Sequence, residues 1–447
     1  MDNVVKIAVD TGASGIKVVC SVNGHEPYAF LIPPYVTEID EPKKLIRDAN
    51  FDKENLWLKS GKNYYAVGSL AKRYGAQQLI KPPKFTTATA KIFAAIGMAI
   101  QTLEIPLEFT LELSLLLPPA ELGDAPIIMK NVKSSVKNLE FPSGKAKIEL
   151  KGFLIYPEGY GFLNAQDLEL KEYDSIVTIM MGYRNISMFD TNRGKPDRPY
   201  TELIGFHDYL FDISSETSIK IEDLIEPVCF RIDDDLKYYN RQIEVYNYQT
   251  EEIKAKILAQ EKIASQFDPP DQELIISDSR EKLAYCQKHL QKDTLKLTEL
   301  ADSYEKRFYH LINCDGKDRD YQDTKIKKVQ ADKRKKYVKR LKDWISERLP
   351  ARPQLICIAG GTAKYLGDDI YSFLAEKGEV RKSIAIPIEL DYDGEIYRRN
   401  VEVSTIEFKG MEPYKNQYKH YLCDEDKYME TQLERFEDVY GLFKIMK

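Results

Sequence analysis

Three short apolar runs, far apart and each ending in a glycine turn, set the strongest limit on how this chain can fold. Residues 4–9 lead into DTGASGIK (10–17), residues 176–181 (IVTIMM) lead into GYRN, and residues 355–359 (LICIA) lead into GGTAKYL (360–366). Runs this short and this apolar read as central strands covered on both faces rather than as amphipathic surface strands. Central strands that end in glycine turns predict a layered α/β architecture with ligand-binding turns at the strand ends.

Other segments fill in the layers. NYYAVGSLA (63–71) reads as part of a hairpin, and TTATAKIFAAIGMAIQTL (86–103) has the apolar spacing of a packed helix. FTLELSLLLPP (109–119) reads as a further buried strand stopped by Pro118 and Pro119, and residues 145–156 alternate enough for one more. The composition shifts near Asp233. From there to about Arg348 the chain is rich in Lys, Glu, Gln and Asp with apolar residues at helical spacing, broken at FDPPDQ (267–272). This predicts a mostly helical region longer than a ligand-binding core needs. Its basic run KIKKVQADKRKKYVKRLKDWISER (325–348) reads as a solvated amphipathic helix with Val329, Tyr337, Leu341 and Trp344 facing inward, or as a contact for DNA, a neighbouring copy or a nucleotide edge.

At 447 residues the chain is long enough for two or more domains, and 43% hydrophobic content supplies a sizeable core. A net charge of −6 leaves no global footprint for nucleic acid or an anionic membrane. Cys20, Cys229, Cys286, Cys314, Cys357 and Cys423 show no CxxC spacing, which reads as reduced thiols rather than a metal cluster or disulfide framework. His25, His207, His289, His310 and His420 are isolated, without HExxH or paired spacing, and no GxSxG stands out. No signal-peptide core precedes the first strand, and no apolar run approaches the roughly 20 residues of a membrane span. A cytoplasmic location is the expectation.

The turns themselves carry phosphate chemistry. In DTGASGIK, Asp10 ends a strand, Gly12 and Gly15 permit a tight turn, and Ser14 and Lys17 lie within reach of an anion held by the freed amides. Asp10 can hold a water of a hydrated Mg2+ ion. Neither GxxxxGK[ST] nor GxGxxG is present, so this is neither a P-loop nor a dinucleotide turn. Gly360, Gly361 and Thr362 follow a buried strand, where a glycine pair lets a flat ligand approach the backbone closely.

An N-terminal Asp-x-Gly-x-x-x-x-Lys, a strand-glycine turn mid-chain and a late strand-Gly-Gly turn together resemble the actin, sugar-kinase and DnaK-type chaperone superfamily. Further segments resemble its bacterial ParM-type (ParM/StbA-like) filament branch: NYYAVGSLAKRYG (63–75), LLLPPAEL (115–122), YPEGYGFL (156–163) and FEDVYGLFKIM (436–446). Gly205 and Gly441 fit turn positions of that branch. The resemblance covers most of residues 1–225 and 350–447. It implies an α/β, actin-like (ribonuclease H-like duplicated) two-domain fold with a nucleotide cleft, and an enlarged helical region. Domain I would span 1–170 with 425–447 returning to it. Domain II would span 171–424, including the helical region at about 233–348.

By the same resemblance, the first two turns would grip phosphates and the third would contact adenosine. Glu158 would position the attacking water, Asp10 would organise Mg2+ through water, and Lys17 would contact phosphate. Gly182 would keep a backbone contact, with Arg184 or Asn185 as substitute donors. This second turn departs from the family pattern. Met180 stands where an aspartate is expected and Ser187 where a further acid often stands, which predicts slow or altered hydrolysis. The implied function is a filament homopolymer driven by ATP or GTP with Mg2+, in plasmid or DNA segregation with a DNA-binding adaptor. Direct nucleic-acid and membrane contacts are not expected. A non-catalytic nucleotide-bound scaffold or regulator and a small-molecule kinase of the same superfamily are the alternatives.

Overall fold

A computed structural model of the chain describes residues 3–25, 27–42, 55–161, 173, 175–192, 195–229, 233–266, 269–314, 316–351, 353–382, 389–392, 395–398 and 438–446. His420, Cys423 and residues 425–437 of the segment expected to return to the first domain lie outside the described residues.

The first half begins with a meander of β1 (Val4–Thr11), β2 (Ile16–Val22) and β3 (Tyr28–Ile32). It continues through β4 (Val36–Ile39), β5 (Trp57–Ser60), β6 (Asn63–Val67), α1 (Ser69–Arg73) and α2 (Phe85–Thr102). Then follow β7 (Glu108–Leu117), α3 (Ala125–Ser135), β8 (Leu139–Phe141), β9 (Gly144–Lys145) and β10 (Lys147–Pro157). Pro118 and Pro119 end β7 and open a 3-10 turn, because a proline cannot donate to the ladder. The second half repeats the start with β11 (Ser175–Met181), β12 (Ile186–Asn192) and β13 (Lys195–Glu202). Helices α4 (Phe206–Thr217), α5 (Ile221–Cys229), α6 (Asp233–Ala264), α7 (Pro269–Glu305) and α8 (Gly316–Arg348) come next. The chain returns to a sheet with β14 (Leu355–Ala359), α9 (Gly361–Leu366), α10 (Asp368–Ala375) and β15 (Glu379–Lys382).

Two five-stranded sheets share one wiring. The first runs β10-β7-β1-β2-β3 and the second β15-β14-β11-β12-β13. In each, an antiparallel three-strand meander is extended on its first strand by two parallel strands. The register repeats as well: Asp10 pairs with Lys17 in β1–β2, and Met180 pairs with Ser187 in β11–β12. This is the duplicated, ribonuclease H-like sheet pair of the actin-like fold, established by strand order and direction. The duplication lies in the backbone, because DTGASGIK and MMGYRNIS share only the glycine at the third position and the isoleucine at the seventh.

The cores follow from the sheets. The main cluster packs β1, β2 and β7 against the apolar face of α2 through Val5, Ile7, Val9, Leu111, Leu113, Ile92, Phe93 and Ile96, all essentially inaccessible. On the opposite face of the same sheet, Ala8, Val19, Ala29 and Leu116 receive Val439 and Leu442 from the helical segment 438–444. In the second sheet Ile176, Phe189, Leu355, Cys357 and Ala359 form the corresponding layer. The end of α8 joins the second half through an aromatic cluster. Tyr337 stacks on Tyr209 at 5.3 Å, its hydroxyl donates to the Ile204 carbonyl at 2.9 Å, and the Tyr209 and Tyr365 hydroxyls lie 3.1 Å apart. Tyr337, Leu341 and Trp344 are buried, and Val329 is half-buried.

Residues 210–335 form a compact unit of their own. Within it α6 and α7 pack antiparallel, with Tyr246 on His289, Gln249 beside Cys286 and Glu261 facing Arg280. Pro269 and Pro270 fall in the first turn of α7, where the missing N–H costs nothing. Among the described residues, no helix is long and apolar enough to cross a membrane.

Leu442 tests the packing on the far face of the first sheet, since its side chain is fully buried there. Leu442→Ala is expected to cost about 2–5 kcal/mol in chemical denaturation. A loss below about 0.5 kcal/mol, typical of surface positions, would contradict the packing.

Candidate functional site

The register of the first hairpin creates an ion pair at its open end. Asp10 closes β1 and Lys17 opens onto it from β2, with Lys17 Nζ 2.5 Å from Asp10 Oδ2. The turn between them admits only glycine at its third position. A Cβ on Gly12 would lie 2.9 Å from the Gly15 carbonyl and 3.3 Å from Asp10 Oδ2. Gln78 Nε2 steadies the turn from outside by donating to the Ala13 carbonyl at 2.6 Å. Ser14 lies in this same turn.

Two further lysines converge here. Lys84, immediately before α2, donates to Asp10 Oδ1 at 2.7 Å and to Glu158 Oε1 at 2.5 Å, and its side chain is almost inaccessible. Glu158 follows β10, and its amide is fixed by the Leu117 carbonyl at 2.7 Å. Two turns further along, in α2, Lys91 Nζ reaches the Thr11 and Gly12 carbonyls, each at 3.3 Å. The first hairpin, the N-terminal end of α2 and the end of β10 therefore meet at one charged point.

The second hairpin makes the equivalent turn without the Asp–Lys pair, with Met180 and Ser187 at those positions. Gly182 N donates to the Asn185 carbonyl at 2.9 Å, and the Gly182 carbonyl receives Phe206 N at 3.2 Å and Thr362 Oγ1 at 2.9 Å. The third turn stacks on this one. Gly360 has φ +100°, and a Cβ there would lie 2.4 Å from the Met181 carbonyl, so only glycine allows the approach. Gly361 opens α9 directly after it. The Nδ2 of buried Asn185 has no acceptor among the described residues.

Arg184 links the two hairpins. Its guanidinium donates to the Pro82 carbonyl at 3.1 Å and to Glu121 Oε1, while Glu121 Oε2 accepts the Lys84 amide at 2.7 Å. One carboxylate thus fixes both the second turn and the root of the bridging lysine.

Charge states follow from this geometry. Burial alone would raise the Asp10 pKa, but Lys17 and Lys84 outweigh it and hold the carboxyl well below the usual carboxylate range. Burial likewise opposes a charge on Lys84, and the carboxylates of Asp10 and Glu158 overcome it, raising its pKa. Lys91 has only carbonyl partners. Burial, reinforced by the neighbouring charge of Lys84 and partly offset by Asp10, brings it down to about 8.

Of the residues singled out in the sequence, Asp10 and Glu158 hold the Lys84 ammonium, Lys17 shares Asp10 with it, and Gly12 lies against Lys91. Gly182, Asn185, Gly360, Gly361 and Thr362 gather at the second and third turns, and Arg184 bridges the groups. Lys84 and Lys91 belong to no motif in the sequence, and in LLLPPAEL (115–122) nothing marks Glu121 as a site residue. One signal was readable, since Lys91 is the sole charged residue in the 18-residue α2 and lies on its apolar stretch. Mg2+ does not fit this arrangement of side chains. Both Asp10 oxygens accept from ammonium groups, Glu158 is paired with Lys84, and Met180 and Ser187 offer no carboxylate at the matching register.

No protein-family model matches the chain, and no curated protein matches it in sequence. In structure the chain is similar to an archaeal actin homolog, with 14% identity, 84% of this chain and 92% of that chain covered, and a TM-score of 0.49. It is similar to the Bacillus thuringiensis ParM solved with ATP, at 12% identity, 85% and 93% coverage and a TM-score of 0.44. The apo psk41 ParM protein gives 12% identity, 85% and 92% coverage and a TM-score of 0.41.

Lys91 gives the site a pH signature. Between pH about 8 and the ordinary value of 10.5, the unfolded chain holds a proton here that the folded chain has released, so this residue's contribution to stability rises with pH. Lys91→Met is expected to stabilise the ligand-free protein at pH 7 by on the order of 1–3 kcal/mol, a gain that shrinks above pH about 8. Denaturation curves across that range check this; equal stability at pH 7 would contradict it.

Proposed function

We propose that this chain is an actin-like nucleotide-binding protein whose phosphate site is the lysine-rich point where the two hairpin turns and the Gly360–Gly361 turn converge. One observation carries the reading: Arg184, Glu121 and Lys84 join two register-matched turns of a duplicated sheet pair around a surplus of positive charge. Among the described residues, Lys17, Lys84, Lys91 and Arg184 face Asp10, Glu121 and Glu158 in contacts within this cluster. The cations outnumber the carboxylates by one, and turn amides with buried ammonium groups are suited to the oxygens of a polyphosphate.

In this reading ATP or GTP occupies the cleft, with Gly12, Ser14 and Gly182 at the phosphates and Gly360, Gly361 and Thr362 at the nucleoside. Asn185 Nδ2 is a further donor, and its lack of a partner in the ligand-free site supports that role. The ordered ParM-like segments of the sequence support polymerisation into filaments by copies of the chain. A cytoplasmic role in plasmid or DNA segregation through a DNA-binding adaptor belongs to the same proposal.

A second reading, a nucleotide-bound scaffold with little turnover, is favoured by the engagement of Glu158. One oxygen of this carboxylate is already engaged by a buried ammonium at 2.5 Å, which leaves it less open to orient an attacking water. Met180 and Ser187 remove the second acid as well.

Pelleting with ATP, GTP and slowly hydrolysed analogues, with phosphate read from the same tube, separates the two readings. Sedimenting polymer with slow phosphate release is expected, polymer without release favours the scaffold, and absence of polymer with every nucleotide overturns the filament reading.

A further inference from the structure

We infer that the Lys84 ammonium is a built-in cation standing where a divalent ion would otherwise bridge Asp10 and Glu158, so that the cleft takes the phosphates of a nucleotide without Mg2+. The inference rests on the nucleotide reading above and adds how the charge is balanced.

Three independent features lead to it. The first is position: Lys84 Nζ lies within hydrogen-bond distance of both carboxylates, at 2.7 and 2.5 Å, and spends two of its three N–H donors on them. The third N–H has no acceptor among the described residues and is free for a phosphate oxygen. Anchoring is the second. The Lys84 amide is held by Glu121 at 2.7 Å, and its carbonyl accepts the Ala88 amide at 2.9 Å in the first turn of α2. With its backbone tied at both groups and its side chain 7% exposed, the ammonium is placed by the fold rather than carried on a loose surface stem.

The third feature is the register-matched position in the second sheet. Magnesium demands near-octahedral oxygen ligands and gives up its waters reluctantly, so it depends on carboxylates free to hold it or its waters. Each Asp10 oxygen already accepts from an ammonium, Lys17 on one and Lys84 on the other, and the matching pair Met180–Ser187 supplies no acid. The missing second carboxylate and the internal ammonium act in the same direction. Each weakens a metal site, and together they leave a positive point charge beside the first phosphate turn. Lys91, held against the Thr11 and Gly12 carbonyls, adds a second buried cation on the same side of that turn. A lysine cation differs from an ion in that it cannot be removed by a chelator.

The test is equilibrium binding of ATP to the full chain by calorimetry, in Mg2+ and in EDTA. Kd values within about threefold of each other are expected for the wild type, in line with a cation supplied by the chain. In Lys84→Met the two carboxylates lose that cation, so affinity in EDTA should fall by at least about tenfold and Mg2+ should recover part of it. Wild-type affinity that drops more than about tenfold in EDTA overturns the inference, with nucleotide binding itself intact, and identifies Lys84 as a side chain that the ion displaces. Binding of ATP in neither buffer overturns the nucleotide reading and this inference with it. If Lys84→Met does not fold, the wild-type comparison decides alone.

Discussion

A buried ammonium between two carboxylates is the constraint on which the rest of the site depends. Lys84, Asp10 and Glu158 come from three different places in the chain: the root of α2, the end of β1 and the end of β10. Leaving any one of these charges unpaired in such a setting is costly, and breaking a buried pair typically costs about 3–5 kcal/mol. The interaction therefore fixes the N-terminal end of α2 against the strand ends of the first sheet. Glu121 extends this order across to the second sheet, because the carboxylate that holds the Lys84 amide also receives Arg184.

The duplicated sheets supply the frame and the sequence departs from symmetry on it. Both hairpins make the same turn, with Gly12 and Gly182 in matching places, and the register sets Asp10–Lys17 against Met180–Ser187. Charge has been concentrated on one side of the pseudo-repeat. On the other side the second turn, which has no carboxylate, is packed beneath the third turn through Thr362 and the close approach of Gly360 to Met181. This division suits a ligand with an anionic end and a flat end, and it places the positive potential where the anionic end would lie.

Much of the frame was legible in the sequence. The apolar runs ending in glycine turns became β1, β11 and β14, the central strands of the two sheets, because only strands covered on both faces are so uniformly apolar. The helical stretch after Asp233 was legible from its spacing and charge, and the inward set Tyr337, Leu341 and Trp344 is buried. Strands β3 and β4 carry no comparable signal in the sequence. They are short and carry mixed polarity, and β4 pairs with β6 across residues that local pattern cannot bring together. The network escaped for the same reason. Lys84 and Glu121 are 37 residues apart, Lys84 and Glu158 are 74 apart, and neither lysine sits in a motif. Lys91 was the exception in principle, a lone charge on a stripe that had to be buried.

In the proposed function, the two hairpin turns and the lysines between them form one phosphate site. Its most direct test is an experimental structure determined with a slowly hydrolysed ATP analogue in the absence of divalent metal. Phosphate oxygens are expected at hydrogen-bond distance from the amides of the first and second turns and from Lys84 Nζ, with that ammonium still between Asp10 and Glu158. A nucleotide bound away from both turns would contradict it.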